Sequence, residues 1–436
     1  MIVIYNCGNR KAILKNVKIR DKYDFFWQII YLTTFYGTTI LTQTLPDHDN
    51  RQKKSGIKRL DMIKKSIKFF LFCIAWSASL FRRKKMPRKI ERIFILASGY
   101  LGDTFWAIQT LPLLKQKYPD TEFYIGGKPF IRELCHMLIP QENQRIIRSV
   151  ISDRQREKVS FLNIFAESKV IRKQLKPDLL IDLVCNRYSA LFAFRTGAYT
   201  VGIDCADEFY PLYSFCAKQK QISGVHLAGR PISIVKQFLG LKETEKLNLT
   251  PPVPRYCKTE LSEKFSIRDD DKLIMLIPGA GWETKRWDKT HFNTLGKFLT
   301  EHGYRIVISG SASEETLCNE ISQGIKNSII LCNGLAETIS LLPHCKAAVG
   351  NDSGVSHLAA SYGIKVFILY CQTNPEFCGA LGVDAHYFRT ECPYSPRKGE
   401  HFCQSIPTLN CMRSERMAIA SETIAKELLE QLHENA

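Results

Sequence analysis

Three stretches of this sequence combine glycines with ionisable side chains at spacings that suit an anion and a proton acceptor. The first is Gly99-Tyr100-Leu101-Gly102-Asp103, directly after the apolar run Ile93-Phe94-Ile95-Leu96. Its glycines permit a tight turn and a close backbone approach. Asp103 then opens a helical pattern, where it can serve as a general base or as a helix cap. The second is Pro278-Gly279-Ala280-Gly281-Trp282-Glu283-Thr284-Lys285-Arg286-Trp287. A glycine turn followed by two cations suits a phosphate, with backbone N–H groups donating and a side chain neutralising charge. A solvated basic loop is the alternative, and the two tryptophans beside the cations weigh against it. The third is Gly350-Asn351-Asp352-Ser353-Gly354-Val355-Ser356-His357. The amides of Ser353 and Gly354 open a helix, a ready anion site. His357 lies in the first turn, and helical side chains tilt toward the N-terminus, so its imidazole reaches the same place. A lone histidine is commonly structural; this position favours function.

The elements that must hold these loops are legible as two consecutive βα series. In the first, Ile93–Leu96 reads as a strand buried on both faces. Ala107, Leu111, Leu114 and Tyr118 mark one helix, Thr121–Ile125 the next strand, and Asp178–Val184 and Tyr199–Ile203 two more. Helices are predicted around Phe161–Gln174 and Val225–Leu239. The second series has strands at Lys272–Ile277, Tyr304–Ser309, Ser328–Leu331, Ala347–Gly350 and Ile364–Tyr370. Its helices are predicted at His291–His302, Ser313–Ile321, from Ser353, and at Ser414–Leu432. Two such series predict an α/β protein with two doubly wound, Rossmann-like domains facing a cleft, and ligands at the carboxyl ends of the strands. The predicted divisions are an extension (1–88), a first domain (89–250), a proline-containing linker (251–271), a second domain (272–413) and a terminal helix (414–436).

The 436 residues are 45% hydrophobic, 24% charged and 11% aromatic, which excludes a wholly disordered, collagenous or coiled-coil chain. The net charge of +18 is uneven: residues 1–90 hold 20 Lys/Arg against 5 Asp/Glu. The remainder is nearly neutral, which argues against an extended nucleic-acid footprint. Within the extension, Phe69–Phe81 is apolar and is followed by Arg82-Arg83-Lys84-Lys85. Thirteen residues of helix span about 20 Å, short of the ~30 Å hydrocarbon core. A peripheral anchor on an anionic membrane surface at the cytoplasmic face fits this pattern, as does a helix packed on the rest of the protein. The 15 cysteines contain no Cys-x-x-Cys pair, which reads as free thiols in a reducing compartment. Cys392, Cys403 and Cys411 are widely spaced, and loop packing is favoured over zinc.

The set of three motifs, GYLGD, PGAGWETKRW and GNDSGVSHLAA in this order, resembles glycosyltransferase family 9 from about Lys89 to Leu432. Its best-known members are the ADP-heptose:lipopolysaccharide heptosyltransferases. The resemblance implies a GT-B fold, no metal or other cofactor, and inversion of the anomeric centre. It places Asp103 at the general-base position, with Gly99 and Gly102 as loop glycines. It places Lys285, Asp352, Ser353, Gly354 and His357 in the nucleotide-sugar donor site. Ala280 and Gly281 match a stretch where some members carry threonines, Glu314 a ribose-binding position and Leu335 the base pocket. The implied partners are a nucleotide-sugar donor and a lipopolysaccharide-core or related glycolipid acceptor. The rival readings are the same fold transferring another sugar to another surface glycan, a nucleotide-sugar epimerase on the same fold, and a non-enzymatic anion- or nucleic-acid-binding module. The intact Asp103, Lys285 and His357 set argues against the latter.

Overall fold

A computed structural model describes residues 3–7, 10–14, 70–81, 85–97, 100–127, 130–138, 144–148, 161–204, 207–222, 226–242, 249–382, 384–389, 392, 394–396, 400, 402–403, 410–413 and 419–433. The chain divides into two compact units, Met1–Arg82 with Asp207–Leu212, and Arg83–Ala206 with Tyr213–Ala436. The first unit holds an antiparallel hairpin, β1 (Val3–Cys7) and β2 (Arg10–Leu14). It also holds a helix over residues 70–79.

The second unit contains two six-stranded sheets in which every described pairing is parallel. The first comprises β3 (Arg92–Leu96), β4 (Glu122–Gly127), β5 (Gln144–Arg148), β6 (Leu179–Asp182), β7 (Tyr199–Ile203) and β8 (Phe215–Ala217). Its spatial order is β5-β4-β3-β6-β7-β8. The second comprises β9 (Lys272–Ile277), β10 (Tyr304–Ser309), β11 (Ile329–Leu331), β12 (Cys345–Asn351), β13 (Lys365–Tyr370) and β14 (Ala385–Arg389). Its order, β11-β10-β9-β12-β13-β14, repeats that of the first. Ile93–Leu96, Leu179–Ile181 and Leu273–Ile277 are all buried, as parallel strands covered on both faces must be. The doubly wound reading therefore holds.

Several local expectations change. The pattern from Ala107 to Tyr118 forms two helices, Leu101–Ile108 and Leu111–Lys117, not one. Pro112 lacks an N–H and belongs in a first turn, so it starts a second helix. The Thr110 hydroxyl closes the break by donating to the Ala107 carbonyl at 2.7 Å. The stretch 251–271 contains a helix, Lys258–Phe265, in which the Cys257 N–H donates to Glu260 at 2.7 Å. It is also tied down: the amides of Arg255 and Tyr256 donate to the Ser340 hydroxyl, and that of Val253 to the Met137 carbonyl. The terminal helix runs Ser421–His433, after a short turn at Asn410–Arg413. Its Ile424, Ala425 and Leu428 pack with Phe292, Leu295 and Leu299 of helix Lys289–Glu301 in one apolar core.

Cys135, Cys318, Cys332 and Cys345 are buried free thiols. Cys392, Cys403 and Cys411 are half-buried, and among the described residues no group of three His, Cys, Asp or Glu is gathered as metal ligands would be.

Candidate functional site

In each sheet the chain winds outward from one central strand and then reverses, so the switch points lie at β3/β6 and β9/β12. Crevices form outside the carboxyl ends at such points. The three motif loops follow β3, β9 and β12, which places all of them there.

Gly99 lies outside the described residues. Tyr100 occupies the cap position of helix Leu101–Ile108 in extended conformation, and Asp103 is the third helical residue, half-buried. The cap position is thus held by tyrosine. Helix Gly354–Ser361, from the other domain, is capped by the Ser353 hydroxyl. The two helix starts are pressed together through their glycines. A Cβ on Gly354 would lie 2.6 Å from Leu101 Cβ and 2.7 Å from the Gly102 nitrogen, closer than atoms tolerate. Gly102 in turn has His357 Cδ2 at 3.4 Å from where its Cβ would be. Asp103 is therefore carried on the turn that meets the third motif. The second motif joins through Tyr100, whose ring lies 3.3 Å from where a Cβ on Gly281 would be and whose hydroxyl accepts from Trp282 Nε1 at 3.4 Å.

At this junction Lys285 Nζ lies 2.6 Å from Asp352 Oδ2, with side chains only 16% and 7% exposed. The Thr373 hydroxyl donates to the same oxygen at 2.6 Å, and His357 Nε2 is 3.4 Å from Oδ1. Burial alone would raise the Asp352 carboxyl; the Lys285 ammonium and the bonds from His357 and Lys285 outweigh it and hold it well below the usual carboxylate range. Lys285 Nζ also sits 4.7 Å from the Trp282 ring centre, a cation–π contact. An ammonium has three donors, so a lysine fixed by one carboxylate keeps others for an anion. The His357 ring meets the edge of Trp106 at 4.9 Å. Among the described residues, His357 Nδ1 and both amide atoms of Gln372 are buried without a hydrogen-bond partner.

Other expected site residues are placed differently. Arg286, next to Lys285 in the sequence, has different partners: it donates to the Ala280 carbonyl and to Glu314 at 2.8 Å. Glu314 also accepts from the Ser311 amide and hydroxyl, and its carboxylate lies over Gly279, where a Cβ would meet it at 2.7 Å. Trp287 is a core residue, 2% exposed, donating to the Ile419 carbonyl; its amide donates to Asn351. Ala280 is buried and Gly281 exposed. Leu335 opens helix Leu335–Leu341 after β11, at the far edge of the sheet from β14. That helix start is capped from the first domain, by Glu133 accepting the Ala336 N–H at 3.0 Å. Glu314 and Leu335 thus lie along the same carboxyl edge as Lys285 and Asp352, outward from β9.

Four contributors escaped the sequence reading. Thr373 follows β13, at the same carboxyl edge, and the run Thr373-Asn374-Pro375 carried the available signal, a cap and a first-turn proline. Cys378 donates to the Asn374 carbonyl, and burial, followed by the Asp352 charge, pushes its thiol up to about 12. Trp106 sits on the buried face of helix Leu101–Ile108, where nothing in the sequence marks it off from a core residue. His226 meets Trp106 at 6.2 Å, and its Nδ1 accepts the Ala228 N–H. Burial, then the neighbouring His357, lowers His226 from 6.5 to about 4. The unfolded chain then binds that proton first. Stability from this group is unaffected above pH 6.5, falls as pH drops below it, and levels off near the folded value. His226→Asn, whose oxygen can replace Nδ1, is expected to flatten this part of the profile. Urea midpoints between pH 7 and 4.5 check it; parallel wild-type and variant profiles would contradict the assignment.

The model for glycosyltransferase family 9 (heptosyltransferase) matches residues 169–403, more than half of the chain. The chain belongs to glycosyltransferase family 9. It is 30% identical over 316 residues to a lipooligosaccharide heptosyltransferase 2 from Haemophilus ducreyi, covering 68% of this chain and 88% of that protein. The match to lipopolysaccharide heptosyltransferase 2 of Salmonella typhimurium is 33% identical over 152 residues, 33% of this chain, and spans 44% of that relative's length. The solved structure of E. coli ADP-heptose lps heptosyltransferase II is similar in fold, with a TM-score of 0.62 at 22% identity, over 79% of this chain and all of that one. The two sheets of this family 9 chain are accordingly the two Rossmann-like domains of a GT-B fold.

Proposed function

We propose that this family 9 chain is an inverting glycosyltransferase that moves heptose from ADP-heptose to a lipopolysaccharide-core or related glycolipid acceptor at the cytoplasmic membrane face. The observation that carries the reading is the packing of Gly102 against Gly354, which holds Asp103's turn against the cluster of Lys285, Asp352, Thr373 and His357. The sugar and acceptor are taken from the names of its relatives.

The acceptor hydroxyl is a poor nucleophile, and Asp103 takes its proton as the new bond forms. The bond from the anomeric carbon to the diphosphate breaks from the opposite side, which inverts that centre. The leaving diphosphate gains charge as it departs. Lys285, His357 and the amides of Ser353 and Gly354 stabilise it without a resident metal. Asp352 acts through Lys285 and His357 as a positioning residue. Glu314, steadied by Arg286, is assigned to the ribose and Leu335 to the base. The buried, unpartnered Nδ1 of His357 and amide of Gln372 supply polar capacity that a diphosphate sugar satisfies.

A calorimetric and turnover screen across ADP-, GDP-, UDP- and dTDP-sugars tests this. The ADP-sugar is expected to bind at least tenfold more tightly than the others and to turn over only with an acceptor present. Preference for another nucleotide removes ADP-heptose from the proposal, and conversion of donor without acceptor points to epimerase chemistry instead.

A further inference from the structure

Residues 69–81 contain no charged side chain, and 70–79 form a helix of the first compact unit. Leu71, Ile74, Ala75 and Ala78 are buried, at the i, i+3, i+4, i+7 spacing of a single helical stripe. Phe72 contributes a ring contact to Tyr210 of the same unit, at 5.9 Å. Away from this stripe, among the described residues, Phe70 is 48% exposed, Trp76 56% and Leu80 56%. Leu80, in the turn that closes the helix with its N–H on the Ser77 carbonyl, follows Trp76 by four residues, about one helical turn. Large apolar side chains clustered in water call for a partner.

We propose that this face docks on the surface of an anionic lipid bilayer, with Trp76 and Leu80 in the headgroup region. Charge selects the occupant. Arg82, Arg83, Lys84 and Lys85 follow the helix directly, in a segment with 20 Lys/Arg against 5 Asp/Glu over residues 1–90. A second copy of the chain would bring the same positive charge against itself, whereas anionic headgroups complement it. The side-chain type also fits, because tryptophan is favoured at the water–lipid boundary. No described helix is long and apolar enough to cross a membrane, so the docking is along the surface. The proposal is independent of which sugar is transferred.

The test uses the full chain and vesicles of phosphatidylcholine with or without about 30% phosphatidylglycerol, both free of any glycan, so that binding reports this surface and not the acceptor site. The expected result is binding to the anionic vesicles that weakens with added salt, and little to the neutral ones. Trp76→Ser combined with Leu80→Ser is expected to weaken it at least tenfold. Each of the four cations changed to glutamine costs about fivefold, from roughly 1 kcal/mol per charge. Both substituted side chains are exposed, so melting and ADP binding stay as in wild type. As a second readout, vesicles shift wild-type tryptophan emission to the blue, and Trp76→Phe removes that part of the shift while retaining binding. The proposal is overturned if the Trp76→Ser/Leu80→Ser variant binds anionic vesicles as wild type does. It is also overturned if neutral vesicles bind equally well, or if that variant abolishes a lipid-free dimer instead.

Discussion

Asp103→Asn is expected to lower turnover by about 10²–10⁴, the usual contribution of a general base, while leaving donor affinity within about twofold of wild type. The geometry separates this effect from a structural one. Tyr100, not Asp103, holds the cap position of helix Leu101–Ile108. An acidic side chain in a first turn is worth only about 0.3–1 kcal/mol through the helix dipole. The asparagine variant should therefore melt within a few degrees of wild type. Steady-state turnover with ADP-heptose and acceptor, beside calorimetry with ADP and a thermal melt, reads all three quantities on the same protein. Retention of more than about a tenth of wild-type turnover lies outside the range for a lost base and removes Asp103 from the chemistry.

Lys285→Ala is expected to damage both binding and folding. Loss of a charge-assisted contact to the diphosphate weakens donor affinity by roughly 1.5–3 kcal/mol, about tenfold to a hundredfold. Asp352 would also lose its main counter-charge while 7% exposed, and breaking a buried pair from one side costs about 3–5 kcal/mol. The pH dependence identifies the cause. Folding depresses the Asp352 carboxyl, so its contribution is present in full above the unfolded carboxylate range and lost as pH falls toward the folded value. Without Lys285 that contribution shrinks, and acid unfolding begins at higher pH. Asp352→Asn in the same background removes the stranded charge and should recover much of the stability without restoring donor affinity. Recovery of both would show that Lys285 acts only through folding.

The strands were the most legible part of this fold. β7, β9 and β10 have the predicted bounds, because parallel strands buried on both faces are continuous apolar runs ended by polar loops. Edge strands β5, β8 and β14 were not read: β8 has only three residues, β14 is mostly half-exposed, and β5 (Gln144–Arg148) carries an arginine at its second and last positions, so none shows that signature. The break at Thr110 was hidden because Leu111 and Leu114 continue the apolar spacing across it, and the signal was Pro112 alone. For the candidate site, sequence located the three loops because glycine, turn and charge patterns are local. Partners were not local. Arg286 and Lys285 are neighbours in sequence, yet one pairs with Glu314 and the other with Asp352. Trp282 and Trp287 look alike in the motif, but one lies beside Lys285 and the other in the core. Such divergence is set by packing from other strands, which a single loop does not encode. His226 and Thr373 come from two further segments, whereas Trp106 lies on the first motif's own helix, three residues past Asp103.

The central claim is that the loops after β9 and β12 form one diphosphate site completed by the turn after β3. A crystal structure of the full chain with ADP tests it most directly. Phosphate oxygens are expected about 3 Å from Lys285 Nζ and from the amides of Ser353 and Gly354. His357 is expected within reach, Arg286 still on Glu314, and Asp103 facing the terminal phosphate across an empty sugar position. ADP seated elsewhere, or a diphosphate held by Arg286 with Lys285 still turned to Asp352 alone, would contradict it.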